Sequence, residues 1–119
     1  MAQFVKRKFS GSTNGKPVKV VAIATAGTTI HTAVAGTTAG TFDEIYMYLQ
    51  NNHTTIVVVT IEFGDDTAPD SNIIMTLASK SGLQLVIPGL ILQNAQTVKI
   101  FASVANVVSA SGFVNSITD

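Results

Sequence analysis

The chain reads as an all-β protein: an antiparallel β-sandwich, jelly-roll-like, of about eight strands. Three observations predict this. Apolar and β-branched residues alternate with period two in short runs, with turn residues between them at regular spacing. No window of about 11 residues or more carries the apolar stripe of an amphipathic helix. The chain has 119 residues and no Cys. One domain of that size buries roughly two-thirds of its unfolded surface, so a core can form without disulfides.

The clearest stretch is 41–63, TFDEIYMYLQNNHTTIVVVTIEF. It predicts two strands joined by a tight turn at Asn51, Asn52 and His53, because Asn tolerates the left-handed backbone of such turns. In the first strand Ile45, Met47 and Leu49 share a face, opposite Glu44, Tyr46, Tyr48 and Gln50. The second is apolar on both faces, which predicts a central strand covered within the fold or by a neighbouring subunit.

From the start of the chain, residues 3–9 alternate weakly and predict an edge strand or an arm. Residues 10–17, SGSTNGKP, form a loop by composition. We therefore set 1–17 apart as a basic N-terminal arm or edge strand with its loop, and take 18–119 as a single sandwich domain. Strands are expected at 18–25, with Val18, Val20, Ala22 and Ala24 on one face, and at 28–35. Beyond Phe63, the segment GDDTAPDS is a turn. Strands follow at 72–79 and 83–87. Pro88 and Gly89 predict a type II turn, with a brief strand at 90–92 beyond it. Strands at 97–104 and 107–114 complete the set, and 115–119 reads as a polar tail.

Charge is scarce and segregated. Charged residues make up 12% of the chain and its formal net charge is zero, whereas an ordinary soluble domain carries about a quarter. The surface is instead Thr, Ser, Asn and Gln, which suits a molecule largely surrounded by other protein. The first 19 residues carry Lys6, Arg7, Lys8, Lys16 and Lys19 with no acid, and the remainder is net −5. These five are the candidate contacts to an acidic surface or a neighbouring subunit. The plainer reading is a solvated strand. A nucleic-acid partner fits poorly, since the chain is not basic overall and stacking aromatics near the basic run stop at Phe4 and Phe9.

Catalytic and metal chemistry find little support. His31 and His53 stand in no metal-ligand spacing, and a surface or partly buried imidazole accounts for each. Asp65, Asp66 and Asp70 invite a Ca²⁺ reading, but ordinary turn chemistry explains them and the EF-hand spacing is missing. Glu62 with either Asp65 or Asp66 lacks the apolar surroundings of a glycosidase acid. No Ser lies in a nucleophile elbow and no Gly cluster forms a phosphate loop. We expect no enzyme, no catalytic or metal residue and no cofactor. Tyr46 and Tyr48 are candidate interface or ligand-facing aromatics, placed to bury against a partner or to stack on a sugar ring. No apolar run is long enough to span a bilayer, so no membrane partner is expected.

Five segments in order carry a family resemblance: TIHTA (29–33), DEIYMYLQN (43–51), TIEFG with DDTAPD (60–70), SGLQLVIPGLIL (81–92) and FASVANVV with GFVN (101–115). Together they resemble small virion proteins of tailed bacteriophages, nearest to the jelly-roll decoration, or cement, proteins of capsids. The resemblance covers most of the chain from about residue 28. It implies a non-enzymatic virion protein, made in the host cytoplasm, that binds the major capsid protein as a homodimer or homotrimer and stabilises the shell. The alternative it leaves is a trimeric tail-fibre, head-fibre or neck module that binds host glycan or another virion protein. It assigns no residue a role.

Overall fold

Nine strands form in the computed structural model, which describes residues 2–119. They are β1 (Gln3–Lys8), β2 (Val18–Lys19), β3 (Thr28–Thr32), β4 (Phe42–Asn51), β5 (Val57–Gly64), β6 (Asn72–Leu77), β7 (Gln84–Leu92), β8 (Thr97–Ala102) and β9 (Val108–Thr118). One antiparallel sheet has the order β1-β9-β4-β7, with β2 pairing beside β1 on the same strand β9. The other has the order β3-β8-β5-β6. With β1 and β2 counted as one interrupted strand, this is the eight-stranded jelly-roll arrangement. There is no helix among the described residues, hence none long and apolar enough to cross a membrane.

The core lies between the sheets and follows the alternation. Along β4, Ile45, Met47 and Leu49 are fully buried while Tyr46 and Tyr48 are half-buried on the outer face. Val57, Val59 and Ile61 of β5 face them, joined by Val98, Ile100 and Ala102 of β8. Each large aliphatic side chain buried in this way stabilises the fold by roughly 1.5–3 kcal/mol. The strand β5 is central, between β6 and β8, as its two-sided apolar pattern predicts.

Several elements differ from the sequence reading. Residues 41–63 are not a hairpin: β4 pairs with β7 and β9, β5 with β6 and β8, and the two strands lie in different sheets. The reason is Asn51, which is fully buried. Its Nδ2 donates to the carbonyls of Thr55, Leu77 and Ala78, and its Oδ1 accepts from the His53 amide, so residues 51–55 form a corner leading across the sandwich. Only Val18 and Lys19 of 18–25 are strand. Beyond them small side chains give no packing face, and Thr28 Oγ1 takes up the amides of Val21 and Ala22.

The strand β3 stops at Thr32, and a register irregularity between Thr29 and His31 leaves both Ile30 and His31 buried. Pro88 and Gly89 are not a turn. They sit within the continuous β7, where Pro88 pairs with Tyr46 and a register irregularity between Ile45 and Tyr46 absorbs Gly89. An edge strand tolerates a residue without an N–H. Residues 115–118 are not a tail either. They extend β9, pairing with β1 on one side while Phe42, Asp43 and Glu44 pair with β9 on the other.

The two flanks of the sandwich differ. On one, β1 and β3 are the outer strands, and residues 9–12 cross between them. The Phe9 ring is buried, the Gly11 amide donates to Ile30 O at 2.9 Å, and the Ser10 hydroxyl accepts from the Thr32 amide at 2.8 Å. On the other flank, β7 and β6 are the outer strands, and the connection at residues 78–83 leads directly from β6 to β7.

Candidate functional site

The basic residues gather on the β1 flank. All six residues of β1 are exposed although the strand pairs fully with β9. Its side chains alternate. Lys6 lies opposite Asn115 on the outer face, and Arg7 lies opposite the buried Val114 and so points to the inner side. The structure divides the five candidates. Lys6 Nζ sits 4.1 Å from the centroid of the Phe113 ring, and Lys8 Nζ donates to Ser12 O at 2.9 Å. Both thus have partners in their own chain. Arg7, Lys16 and Lys19 are exposed and form no ion pair among the described residues. They carry the charge that this flank offers to another molecule.

A cleft of about 420 Å³ opens between the two outer strands of this flank, lined by Arg7, Lys8, Ser10, His31, Thr32, Asp43 and Ser116 among others. Its floor holds a buried polar pair that the sequence reading missed. His31 Nε2 and Asp43 Oδ2 are 2.7 Å apart, both side chains almost wholly buried. The Ser10 amide donates to His31 Nδ1 at 3.0 Å. That nitrogen therefore carries a lone pair, and Nε2 carries the hydrogen that goes to Asp43. The imidazole is neutral, and the contact is a charge-assisted hydrogen bond. The second oxygen of Asp43 accepts from the Ser116 hydroxyl at 2.8 Å.

Each ring nitrogen of His31 and each carboxylate oxygen of Asp43 has a hydrogen-bond partner. A general base needs a free lone pair facing a proton to abstract. Both ring nitrogens of His31 have partners, and Ser10 Oγ accepts from the Thr32 amide. The relay joins β3, β4 and β9 across the two sheets as a clasp.

The outer face of the β1-β9-β4-β7 sheet carries an aromatic row. Tyr46 and Phe113 stack with centroids 5.0 Å apart and planes 18° apart. Lys6 caps the far side of Phe113. On the other side of Tyr46, a Cβ on Gly89 would come within 3.1 Å of the ring's Cζ and hydroxyl, so glycine makes room for it. Asn115 Nδ2 donates to Glu44 Oε1 at 3.1 Å beside this row. Burial raises the Tyr46 pKa, and the hydrogen bond and charge of Glu44 raise it further. Phe113 thus has the Tyr46 ring and the Lys6 ammonium packed against it, and one face of Tyr46 is covered by Phe113. Tyr48 is half-buried in the same outer row.

Asp65, Asp66 and Asp70 gather in the connection between β5 and β6 of the other sheet. Asp65 accepts from the Thr67 amide at 2.9 Å. A hydrogen bond from the Ser71 side chain, with this amide, holds its carboxyl below the usual range. The turn chemistry read from GDDTAPDS is therefore present at Asp65. Among the described residues no three His, Asp or Glu side chains are placed to hold a metal ion. Glu62 is buried, with its Oε1 accepting from the Gly27 amide at 2.7 Å. His53 lies half-buried at the corner after β4.

Fold and surface together define a jelly-roll sandwich with a segregated charge pattern and an internal clasp. Compared with known proteins, the chain matches no family model, no curated protein and no solved structure.

Proposed function

We propose that the chain is a structural virion protein of a tailed bacteriophage: a decoration, or cement, protein that binds the major capsid protein on the head shell and stabilises it. The observation that carries this reading is a charge-poor jelly roll in which three basic residues without an ion pair among the described residues, Arg7, Lys16 and Lys19, gather by the β1 flank. Such a flank fits the acidic outer surface of a shell. Contacts that are each weak, repeated around a symmetric lattice, bind tightly when several engage together. The hydrogen-bonded relay at His31 and Asp43 favours a structural role over a catalytic one. We place the protein on the capsid surface after synthesis in the host cytoplasm, acting as a homo-oligomer, with neither a specific nucleic-acid partner nor a membrane.

The test is co-sedimentation with purified mature shells. The triple variant Arg7→Glu, Lys16→Glu, Lys19→Glu is expected to bind about tenfold or more weakly, since each exposed pair contributes up to about 1 kcal/mol. Wild-type binding is expected to fall as salt rises. Undiminished occupancy of the triple variant would remove the basic flank from the contact. A wild-type chain that ignores shells at low salt would remove the decoration reading itself. A glycan-array signal lost on changing Tyr46 and Tyr48 to Ala would favour a fibre module instead.

A further inference from the structure

A β-sandwich has four edge strands, and each is a template on which another strand can add unless something blocks it. Three are blocked here. The charges Lys6, Arg7 and Lys8 on β1 would repel the same strand of a second copy. Residues 10–11 lie along β3 and take up its Ile30 carbonyl and Thr32 amide. The edge β7 is interrupted by Pro88, by Gly89 at φ +107°, and by two register irregularities against β4.

The fourth edge, β6, has no such device. Its sequence NIIMTL has no charge, Pro or Gly, and its register with β5 runs unbroken from Val57 opposite Leu77 to Glu62 opposite Asn72. The outer face near it is open at three apolar residues, while Thr60 and Glu62 of β5 are buried. Ile74 is 62% exposed, and Val58 and Ile56 near it are 43% and 63% exposed.

We propose that β6 is a self-association edge, through which two copies pair antiparallel about a two-fold axis and join their four-stranded sheets into one of eight. The occupant is a second copy because antiparallel pairing of a strand with itself is two-fold symmetric and closes as a dimer. In any register that keeps the outer faces together, paired residues share parity, and the centred registers set the two Ile74 side chains side by side. Charge agrees with this. Asp70 stands just before β6 and Lys80 just after it, the only charged residues close to the strand on either side. Antiparallel pairing brings the Asp70 end of one copy to the Lys80 end of the other. The basic β1 flanks then lie outermost at the two ends of the dimer.

Sedimentation velocity of the full chain across the micromolar range is expected to show a dimer. Ile74→Lys sets two ammonium groups together at the axis and is expected to raise the dimer dissociation constant about 100-fold. Circular dichroism should report the fold retained, because the side chain is exposed. If that variant does not fold, Thr76→Lys, on the same exposed row, takes its place. Arg7→Glu, on the opposite flank, should leave the dimer unchanged. Hydrogen exchange locates the contact: β6 amides should slow as concentration rises while β1 amides do not. A chain that stays monomeric, a trimer, or a dimer indifferent to the lysine variants overturns the proposal. No shells enter these measurements, so the dimer stands or falls apart from the decoration reading.

Discussion

Replacing His31 by Leu is expected to lower the unfolding free energy by about 2–4 kcal/mol, for a lost charge-assisted hydrogen bond and a backbone amide left without its acceptor. The leucine removes the N–H that Asp43 Oδ2 accepts and leaves the Ser10 amide without its acceptor. Asp43 is 3% exposed, so water cannot replace the lost donor at no cost. The hydroxyl of Ser116 remains on the other oxygen, and Oδ2 is left without its donor. The double variant His31→Leu, Asp43→Leu should recover part of the loss, because no carboxylate is then stranded. Urea unfolding at neutral pH measures both, and the difference from additivity is the coupling of the pair. A single-variant loss under about 1 kcal/mol would show that the pair contributes little beyond packing.

Gly112→Ala is expected to cost a similar amount, about 2–5 kcal/mol, by a different route. Gly112 lies in β9 at φ +146°, a conformation side chains rarely adopt. A Cβ there would run into the carbonyl oxygen of Tyr46 on the neighbouring strand and stand 3.0 Å from Cζ of Phe9. Neither can yield easily, since one is backbone inside a sheet and the other is a buried ring. Gly89→Ala serves as the comparison. There the obstacle is the outer end of the Tyr46 ring, which can swing toward solvent. Thermal unfolding of the two variants should show the larger drop in Tm for Gly112→Ala. Equal drops would mean that the backbone contact is not what limits position 112.

The strands that could be read from the sequence are those whose alternation feeds the core directly. Ile45, Met47 and Leu49, the series Val98, Ile100 and Ala102, and the series Ile73, Met75 and Leu77 face inward as their spacing predicts. Misreadings cluster where a local turn signal competes with a tertiary demand. Asn51 and Asn52 resemble a hairpin turn, yet the buried Asn51 amide serves three carbonyls at a corner between sheets. Pro88 and Gly89 resemble a type II turn, yet an edge strand can hold both. Residues 115–118 look polar, yet β1 pairs with all four and β4 with 115–117.

The clasp was missed for a related reason. Asp43 shares the parity of Ile45, Met47 and Leu49, which is the signal for an inward-facing carboxylate. Its partner His31 comes from the opposite sheet, and strand order is not written in strand spacing. The basic cluster was visible as composition. Which of its members were already engaged by Phe113 and Ser12 depended on register.

The crossing at residues 9–12 has a mechanical consequence. Gln3 lies opposite Thr118 at the end of the β1–β9 ladder, so tension applied between these points loads the rungs one at a time and does not shear them together. The strand β1 yields before β9, because β9 is also held by β4. Peeling then halts at Phe9, whose buried ring and following bonds to β3 anchor the chain. A pulling trace should show a weak first release of six residues, about 20 Å of chain, followed by a much stronger event. A single rupture without that early step would mean that strand and anchor give way as one unit. Strain on the basic flank can thus be taken up by a strand that detaches and reseats while the sandwich behind it stays closed.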